Sequence, residues 1–399
     1  MKENILKTVK GDIFGGITAG IIALPLALGF GVASGLGAAA GLYGAIILGL
    51  FAALFGGTRT QISGPTGPMT VIVASVAALY SDNLAAVFVL MSLSGLFQIV
   101  YGLCRVGKFI NLVPNPVVSG FMTGIGCIII TLQLNPFLGQ PSSGGTLSAI
   151  KSLLALPNVN IQCVILAAAA LLIVFLTPKK IGKTVPPSLL ALVACTILAV
   201  LLHFSVPAIG SIPNVLPEIK IAPIDLKTFF DILPLAFGLS LLGSIDSLLT
   251  SLVADKQTNT KHDSNKELIG QGLGNMFAGI FGGLAGAGAT MRTVINIKSG
   301  ATTRLSGTVH SLVLILILLV FAPLAELIPI AVLSGILIKI GIDIMDWEFL
   351  KNIHKISKRD TMVMLTVLFI TVFGNLILAV AVGVVLHAIF KKIPPAQHL

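Results

Sequence analysis

Phe277-Ala278-Gly279-Ile280-Phe281-Gly282-Gly283 repeats, late in the chain, the pattern of Phe51-Ala52-Ala53-Leu54-Phe55-Gly56-Gly57. A second pair keeps the same order. Leu112-Val113-Pro114-Asn115-Pro116-Val117-Val118-Ser119-Gly120, with Ile125-Gly126, recurs as Leu327-Ile328-Pro329-Ile330-Ala331-Val332-Leu333-Ser334-Gly335, with Ile340-Gly341. The spacing between copies shrinks slightly, as shorter loops in the second half would produce. Each match alone is weak among Gly- and Leu-rich helices. Two matches in one order point to a duplicated architecture.

The copies lie in a chain of 399 residues that is 55% hydrophobic and 10% charged, with mean hydropathy +1.02. Soluble domains carry about 25% charged residues, so this is an integral membrane protein. A helical span needs about 20 apolar residues. Candidate spans fall at 12–34, 37–57, 66–80, 84–104, 112–136, 160–178, 186–203, 227–253, 266–284, 290–299, 302–323, 328–344, 359–374 and 375–391. The first is too long for a signal-peptide core and is read as retained. Fourteen spans make seven per half. An odd number per half requires the halves to be inverted relative to each other.

The net charge of +10 belongs to topology and not to nucleic-acid binding. With the N-terminus in the cytoplasm, the inner segments carry most of the basic residues, among them Lys7, Lys10, Arg59, Arg105, Lys108, Lys179, Lys180, Lys183, Lys256, Lys261, Lys266, Lys298, Arg304, Lys351, Lys355, Lys358, Arg359 and Lys391. The outer loops carry Lys151, Lys220 and Lys227. This is the positive-inside pattern, and it places both termini in the cytoplasm. Cys104, Cys127, Cys163 and Cys195 fall in or beside spans and read as small buried hydrophobes. Tyr101 and Trp347 read as interfacial anchors.

After each Phe-Ala-x-x-Phe-Gly-Gly copy the apolar sequence breaks. The first break is Ser63-Gly64-Pro65-Thr66-Gly67-Pro68-Met69-Thr70; the second is Leu284-Ala285-Gly286-Ala287-Gly288-Ala289-Thr290-Met291-Arg292-Thr293. Interrupted spans at matching positions in two halves point to a transporter site. A short helix starting at mid-membrane aims its first, unpartnered N–H groups into the cavity. Two such N-termini facing each other suit a small anion. Pro68 fits a first turn, where its missing N–H is not needed.

Asp246 sits in Gly243-Ser244-Ile245-Asp246-Ser247-Leu248-Leu249-Thr250, midway through a long apolar stretch. A carboxylate at that depth costs about 2.5–3.5 kcal/mol on insertion scales, so a cation, a proton or a basic partner is expected beside it. The other acids, including Asp12 and Glu267, lie at predicted helix ends or in loops. Thr250 follows on the same helical face. With free carbonyls near Gly288 it would give hard oxygen ligands to a small cation, although any one hydroxyl also has its own backbone to bond. Arg292, near the second break, would neutralise Asp246, attract the anion or face the inner vestibule. His310 reads as a buried hydrogen-bonding histidine. No P-loop, dinucleotide fingerprint, metal-ligand spacing or nucleophile–base pair is present, so the chain does not read as an enzyme.

The chain resembles the sulfate permease family of anion transporters over essentially its whole length. The resemblance rests on Asp12-Ile13-Phe14-Gly15-Gly16-Ile17-Thr18-Ala19-Gly20 with Pro25, Phe30, Gly35 and Gly41-Leu42-Tyr43-Gly44, on Ser63–Pro68, on Gly243–Leu249 and on Ala289–Thr293. It implies an all-α integral membrane fold of fourteen spans in a 7+7 inverted repeat. The half-helices of spans 3 and 10 meet at mid-membrane. A core domain (12–105 and 227–323, spans 1–4 and 8–11) would move like an elevator against a gate domain (106–203 and 328–391, spans 5–7 and 12–14), usually in a homodimer.

Most members carry Glu at Asp246 and many carry Gln at Leu26. Both departures are shared with a cyanobacterial, sodium-dependent, bicarbonate-transporting branch of the family. That likeness assigns Asp246, Thr250, Gly288 and Thr290 to sodium, and Thr66, Gly67 and Ala289 to the anion. The family's cytoplasmic C-terminal regulatory domain has no counterpart before Leu399, which leaves a truncated chain or a short member.

The expected function is sodium-coupled bicarbonate symport in the inner (plasma) membrane, with sodium as coupling ion and no other cofactor. The alternatives are proton- or sodium-coupled transport of sulfate, another oxyanion or a dicarboxylate, and a passive anion channel.

Overall fold

A chain with so few charges, broken by Gly and Pro at intervals of about twenty residues, has to satisfy its backbone inside helices. The computed structural model describes residues 2–108, 114–141, 145–155, 158–178, 181, 185–210, 212, 215–220, 223–374 and 376–392. Leu112 and Val113 of the second repeat and Lys179, Lys180 and Lys183 lie outside the described residues.

A helix stands at each predicted apolar segment. In order they are α1 (Lys2–Ala33), α2 (Ala38–Phe55), α3 (Gly67–Leu79), α4 (Leu84–Leu103), α5 (Asn115–Phe137), a short α6 (Thr146–Leu154), α7 (Ile161–Leu176) and α8 (Pro187–Leu201). Then come α9 (Leu226–Thr258), α10 (Ser264–Ile280), α11 (Thr290–Lys298), α12 (Leu305–Ala325), α13 (Ile330–Ile344), a short α14 (Trp347–Lys351), α15 (Lys358–Phe373) and α16 (Leu376–Lys392). Six of them are long and apolar enough to cross a bilayer: α1 from Thr8, α2, α4, α5, α9 and α12. The first helix starts at Lys2 and not near residue 12, because nothing in Lys2–Gly11 breaks a helix. α9 runs on to Thr258, where Asn259 closes it in a left-handed conformation.

The two Phe-Ala-x-x-Phe-Gly-Gly copies meet. Phe51 and Phe277 stack with ring centroids 4.5 Å apart, and each stacks on its own Phe one turn later, Phe55 and Phe281. Glycines let the backbones close. A Cβ on Gly44 would lie 2.1 Å from the Leu284 carbonyl oxygen, and one on Gly270 2.4 Å from the Gly56 nitrogen. Beyond these motifs the two breaks pair as short antiparallel strands, β1 (Ser63–Gly64) and β2 (Ala287–Gly288), with Ser63 opposite Gly288 and Gly64 opposite Ala287.

The most extensive packing falls in two sets. In one, α10 packs on α4 and α2, α12 on α1 and α2, and α9 on α4. In the other, α13 packs on α5 and α7, α15 on α5 and α16, and α7 on α8. α5 and α13 cross where Gly126 and Gly341 face each other, so a Cβ on Gly126 would meet the Gly341 carbonyl oxygen at 2.4 Å.

The small residues Gly120 and Gly335 of the second repeat pack within their own helix set: a Cβ on Gly120 would lie 2.3 Å from Met364 O and one on Gly335 2.3 Å from Ala167 O. Ser119 donates to Asp346 and Ser334 to the Ala331 carbonyl. Several sequence expectations change here. Cys104 is exposed, while Cys163 and Cys195 are buried and Cys127 is half-buried. Tyr101 points inward and bonds Ser240 at 2.8 Å. Lys339, absent from the charge split, lies within α13. It pairs with Asp343 one turn on, and its Nζ sits 5.0 Å from the centroid of the Phe175 ring.

Candidate functional site

The β1–β2 pair delivers two helix N-termini to one place. α3 starts at Gly67 with Pro68 in its first turn, and α11 starts at Thr290. No side chain caps either end, so their first N–H groups stay available to a ligand. The Ala289 N–H is not among them, because it bonds the Ile62 carbonyl at 2.8 Å. At the first end, a Cβ on Gly67 would lie 2.6 Å from Ile129 Cδ1 of α5 and 3.2 Å from Ile344 Cδ1 of α13. Thr66 is buried, and Ala289 is 9% exposed.

α9 passes beside the second break and is tied to it by three hydrogen bonds. Thr250 Oγ1 donates to the Gly288 carbonyl at 3.0 Å and shares a 2.7 Å hydrogen bond with Thr290 Oγ1. Ser247 Oγ accepts the Gly288 N–H at 3.1 Å. The structure therefore brings Thr250, Gly288 and Thr290 together, with Asp246 one turn earlier on the same helix.

Asp246 lines a crevice with Pro68, Leu242, Ile245 and Leu249 on one side and Val117, Val118, Phe121, Met122 and Val380 on the other. Its Oδ2 is buried and unpartnered, as is the Thr66 hydroxyl beside it. The two face each other without closing a well-shaped hydrogen bond. A buried unpartnered carboxylate oxygen is costly. One helical turn along α9, the Gly288 carbonyl and the Thr250 and Thr290 hydroxyls add three further oxygens, the donor type that hard cations take.

Arg292 is 1% exposed and does not face an open vestibule. Its Nη2 donates to the Pro65 carbonyl at 2.7 Å, across the β pairing into the first break. Nε and Nη1 are buried without a partner, within electrostatic reach of Asp246. One guanidinium thus spans both breaks and offsets the buried carboxylate without a contact ion pair. His310 is fully buried, but both ring nitrogens lack a partner, against the expected hydrogen-bonded histidine.

Sequence reasoning missed the polar scaffold behind the site. Glu267 and Asp12 read as helix-end acids; Glu267 does stand in the first turn of α10, whereas Asp12 lies well inside α1, and they are 1% and 0% exposed. Asp12 accepts the Thr302 and Thr303 N–H groups at 2.7 and 2.9 Å. Glu267 Oε2 accepts the Gly57 and Thr58 N–H groups at 2.8 Å each, and Oε1 accepts the Gln61 and Gln271 amides at 2.8 Å each. The available signal was the cluster Gln61, Ser63, Gln271 and Asn275 in otherwise apolar surroundings.

Comparison with known proteins places the chain in one family. The sulfate permease family pattern covers residues 9–367. The chain is 48% identical over 393 residues to a bicarbonate transporter, BicA, of a Picosynechococcus species, covering 95% of this chain and 69% of that protein. It is 35% identical over 394 residues to a putative sulfate transporter, YvdB, of Bacillus subtilis, covering 96% and 74%. Among solved structures, the transmembrane domain of a cyanobacterial BicA superposes with a TM-score of 0.87 at 45% identity, covering 95% of this chain and 97% of that one. The murine anion transporter Slc26a9 in its inward-facing state gives 0.85 at 21% identity, covering 96% and 68%, a likeness of fold. The chain belongs to the sulfate permease family of membrane transport proteins.

Proposed function

We propose that this protein is a secondary active anion transporter that couples bicarbonate uptake to sodium. The observation that carries the reading is the oxygen cluster at the second break: Thr250 bonded to the Gly288 carbonyl and the Thr290 hydroxyl, with the unpartnered Asp246 carboxylate one turn away. In this reading Asp246, Thr250, Gly288 and Thr290 hold sodium. The anion lies between the N-termini of α3 and α11, against Thr66, Gly67 and Ala289, with Arg292 supplying positive potential behind it. Sodium offsets the Asp246 charge, so an anion can approach only when the cation is bound. That gives coupling a physical basis.

The two helix sets are the core and the gate. Core spans 1–4 and 8–11 carry the whole site, and the crevice beside Asp246 runs along their contact with gate helices α5 and α16. Elevator movement of core past gate would carry the site between the two sides. The reciprocal approach of Gly44 to Leu284 and Gly270 to Gly56, and the Phe51–Phe277 stack, support a fourteen-span inverted repeat. The charge pattern supports cytoplasmic termini in a plasma membrane. Identity with the BicA proteins favours bicarbonate over sulfate.

The deciding experiment is uptake of radiolabelled bicarbonate and sulfate into proteoliposomes, with and without an inward sodium gradient. Sodium-driven bicarbonate accumulation is expected. Sulfate accumulation, or equal flux without a gradient, would replace the reading by an oxyanion transporter or a channel.

A further inference from the structure

Glu267 lies one turn inside α10. It is buried, and no described basic side chain forms an ion pair with it. What holds its charge is a set of four neutral donors, at 2.8 Å each: the amides of Gly57 and Thr58 and the side chains of Gln61 and Gln271. Three of these donors come from the segment that leads into β1. That segment is held from two further sides. Ser251 of α9 donates to Gln61 Oε1 at 3.0 Å and bonds the Thr58 hydroxyl at 2.7 Å. Gln271 also donates to Ser63 Oγ at 2.6 Å.

The segment in turn sets the second break. Gly288 lies directly on the Gln61 amide, so that a Cβ there would be 2.3 Å from Nε2. Ile62 accepts the Ala289 N–H at 2.8 Å through its carbonyl, and its own N–H donates to Thr293 Oγ1 at 3.0 Å. One carboxylate therefore fixes residues 57–63, and these fix the backbone on which the Gly288 carbonyl and the start of α11 are aimed. A network in which every lone pair of a buried charge is used is rigid, and removing the charge leaves its donors facing one another.

We propose that Glu267 is a positioning residue for the coupling cation: it touches neither cation nor anion, and it sets cation affinity by holding the Gly288 carbonyl in place. This rests on the sodium reading above. Outer partners of metal ligands commonly change affinity by about 10–100-fold when removed.

The test uses the full chain in proteoliposomes. Glu267→Gln is expected to raise the sodium half-saturation of bicarbonate uptake by about 10-fold. The bicarbonate half-saturation at saturating sodium should stay within about twofold, a change worth only about 0.4 kcal/mol. The exchange Glu267→Gln with Gln61→Glu restores a carboxylate–amide pair and should recover most of the sodium affinity. An unchanged sodium half-saturation, or equal loss of both half-saturations together with a lowered melting temperature, would overturn the proposal. Should Glu267→Gln fail to reach the membrane, Gln61→Met removes one strut and is read in the same way.

Amide hydrogen exchange gives a second readout that needs no transport. Faster exchange confined to residues 57–64 and 286–289 is expected in Glu267→Gln. If wild-type uptake proves independent of sodium, the sodium reading fails on its own. Whether Glu267 holds the Gly288 backbone is then decided by exchange alone: unchanged protection of those segments overturns it, and a confined loss upholds that part while the role in cation affinity falls with the sodium reading.

Discussion

The first break enters α3 through Pro65-Thr66-Gly67-Pro68 and carries no charge, whereas the second enters α11 through Ala287-Gly288-Ala289-Thr290 and carries Arg292 in its first turn. Gly67 faces Ile129 and Ile344 across the contact with α5 and α13. Gly288 faces inward, onto Gln61, Ser247 and Thr250. Both present uncapped N–H groups, but only the second adds a carbonyl and two hydroxyls beside a carboxylate. In the proposed reading the two breaks carry two chemistries: an apolar-walled end at the helix contact that would take the anion, and an oxygen-rich end deep in its own helix set that would take the cation.

That division can be broken most decisively at Asp246. Asp246→Asn is expected to abolish gradient-driven uptake, lowering it by about 100-fold, since a charge-assisted contact is worth about 1.5–3 kcal/mol. Surface expression and melting temperature should remain near wild type. A folded Asp246→Asn protein with full sodium-driven uptake would end the assignment of the cation to the second break.

Gly288→Ala should come next. Its methyl would press on a Gln61 side chain already fixed by Glu267 and Ser251, and overpacking of this kind costs about 1–3 kcal/mol. The sodium half-saturation is expected to rise by about 10-fold, measured as sodium-dependent initial rates. If the bicarbonate half-saturation moves instead, the two ends are not chemically separate.

Thr66→Val sharpens the comparison from the other side. It removes a buried hydroxyl while keeping shape. It should raise the anion half-saturation by about fivefold, the worth of roughly 1 kcal/mol for one hydrogen bond. Sodium binding measured calorimetrically should change little. A shift confined to sodium would instead place Thr66 with the Asp246 carboxylate it faces.

Asp225 serves as a control remote from both breaks. It caps α9, accepting the Thr228 N–H at 3.0 Å and the Thr228 hydroxyl at 2.6 Å. These bonds hold its carboxyl below the usual carboxylate range. A depressed folded-state value means the stabilisation is present above the unfolded value near pH 4 and fades as pH falls through the lower folded value. Asp225→Ala should therefore lower the melting temperature slightly at neutral pH. The difference should vanish once the pH lies below the lowered folded value, and neither half-saturation should move.

Composition and periodicity were enough to locate the helices, because an apolar run has to become a helix in lipid and Gly–Pro clusters have to interrupt it. The breaks at Ser63–Thr70 and Leu284–Thr293 were legible for the same reason, and Asp246 and Thr250 were legible as a pair because four residues make about one helical turn. These are local facts, written in spacing along the chain. The sequence by itself did not tell a buried Glu267 or Asp12 from a solvated helix-end acid. Nor did it say that Gly120 packs on Met364 and Gly335 on Ala167, or that Arg292 reaches back to Pro65. Each of those depends on which surfaces meet across long stretches of chain. A helix presents the same residues whatever packs on it, and only the tertiary structure decides which polar groups are left to find one another once the apolar faces have closed.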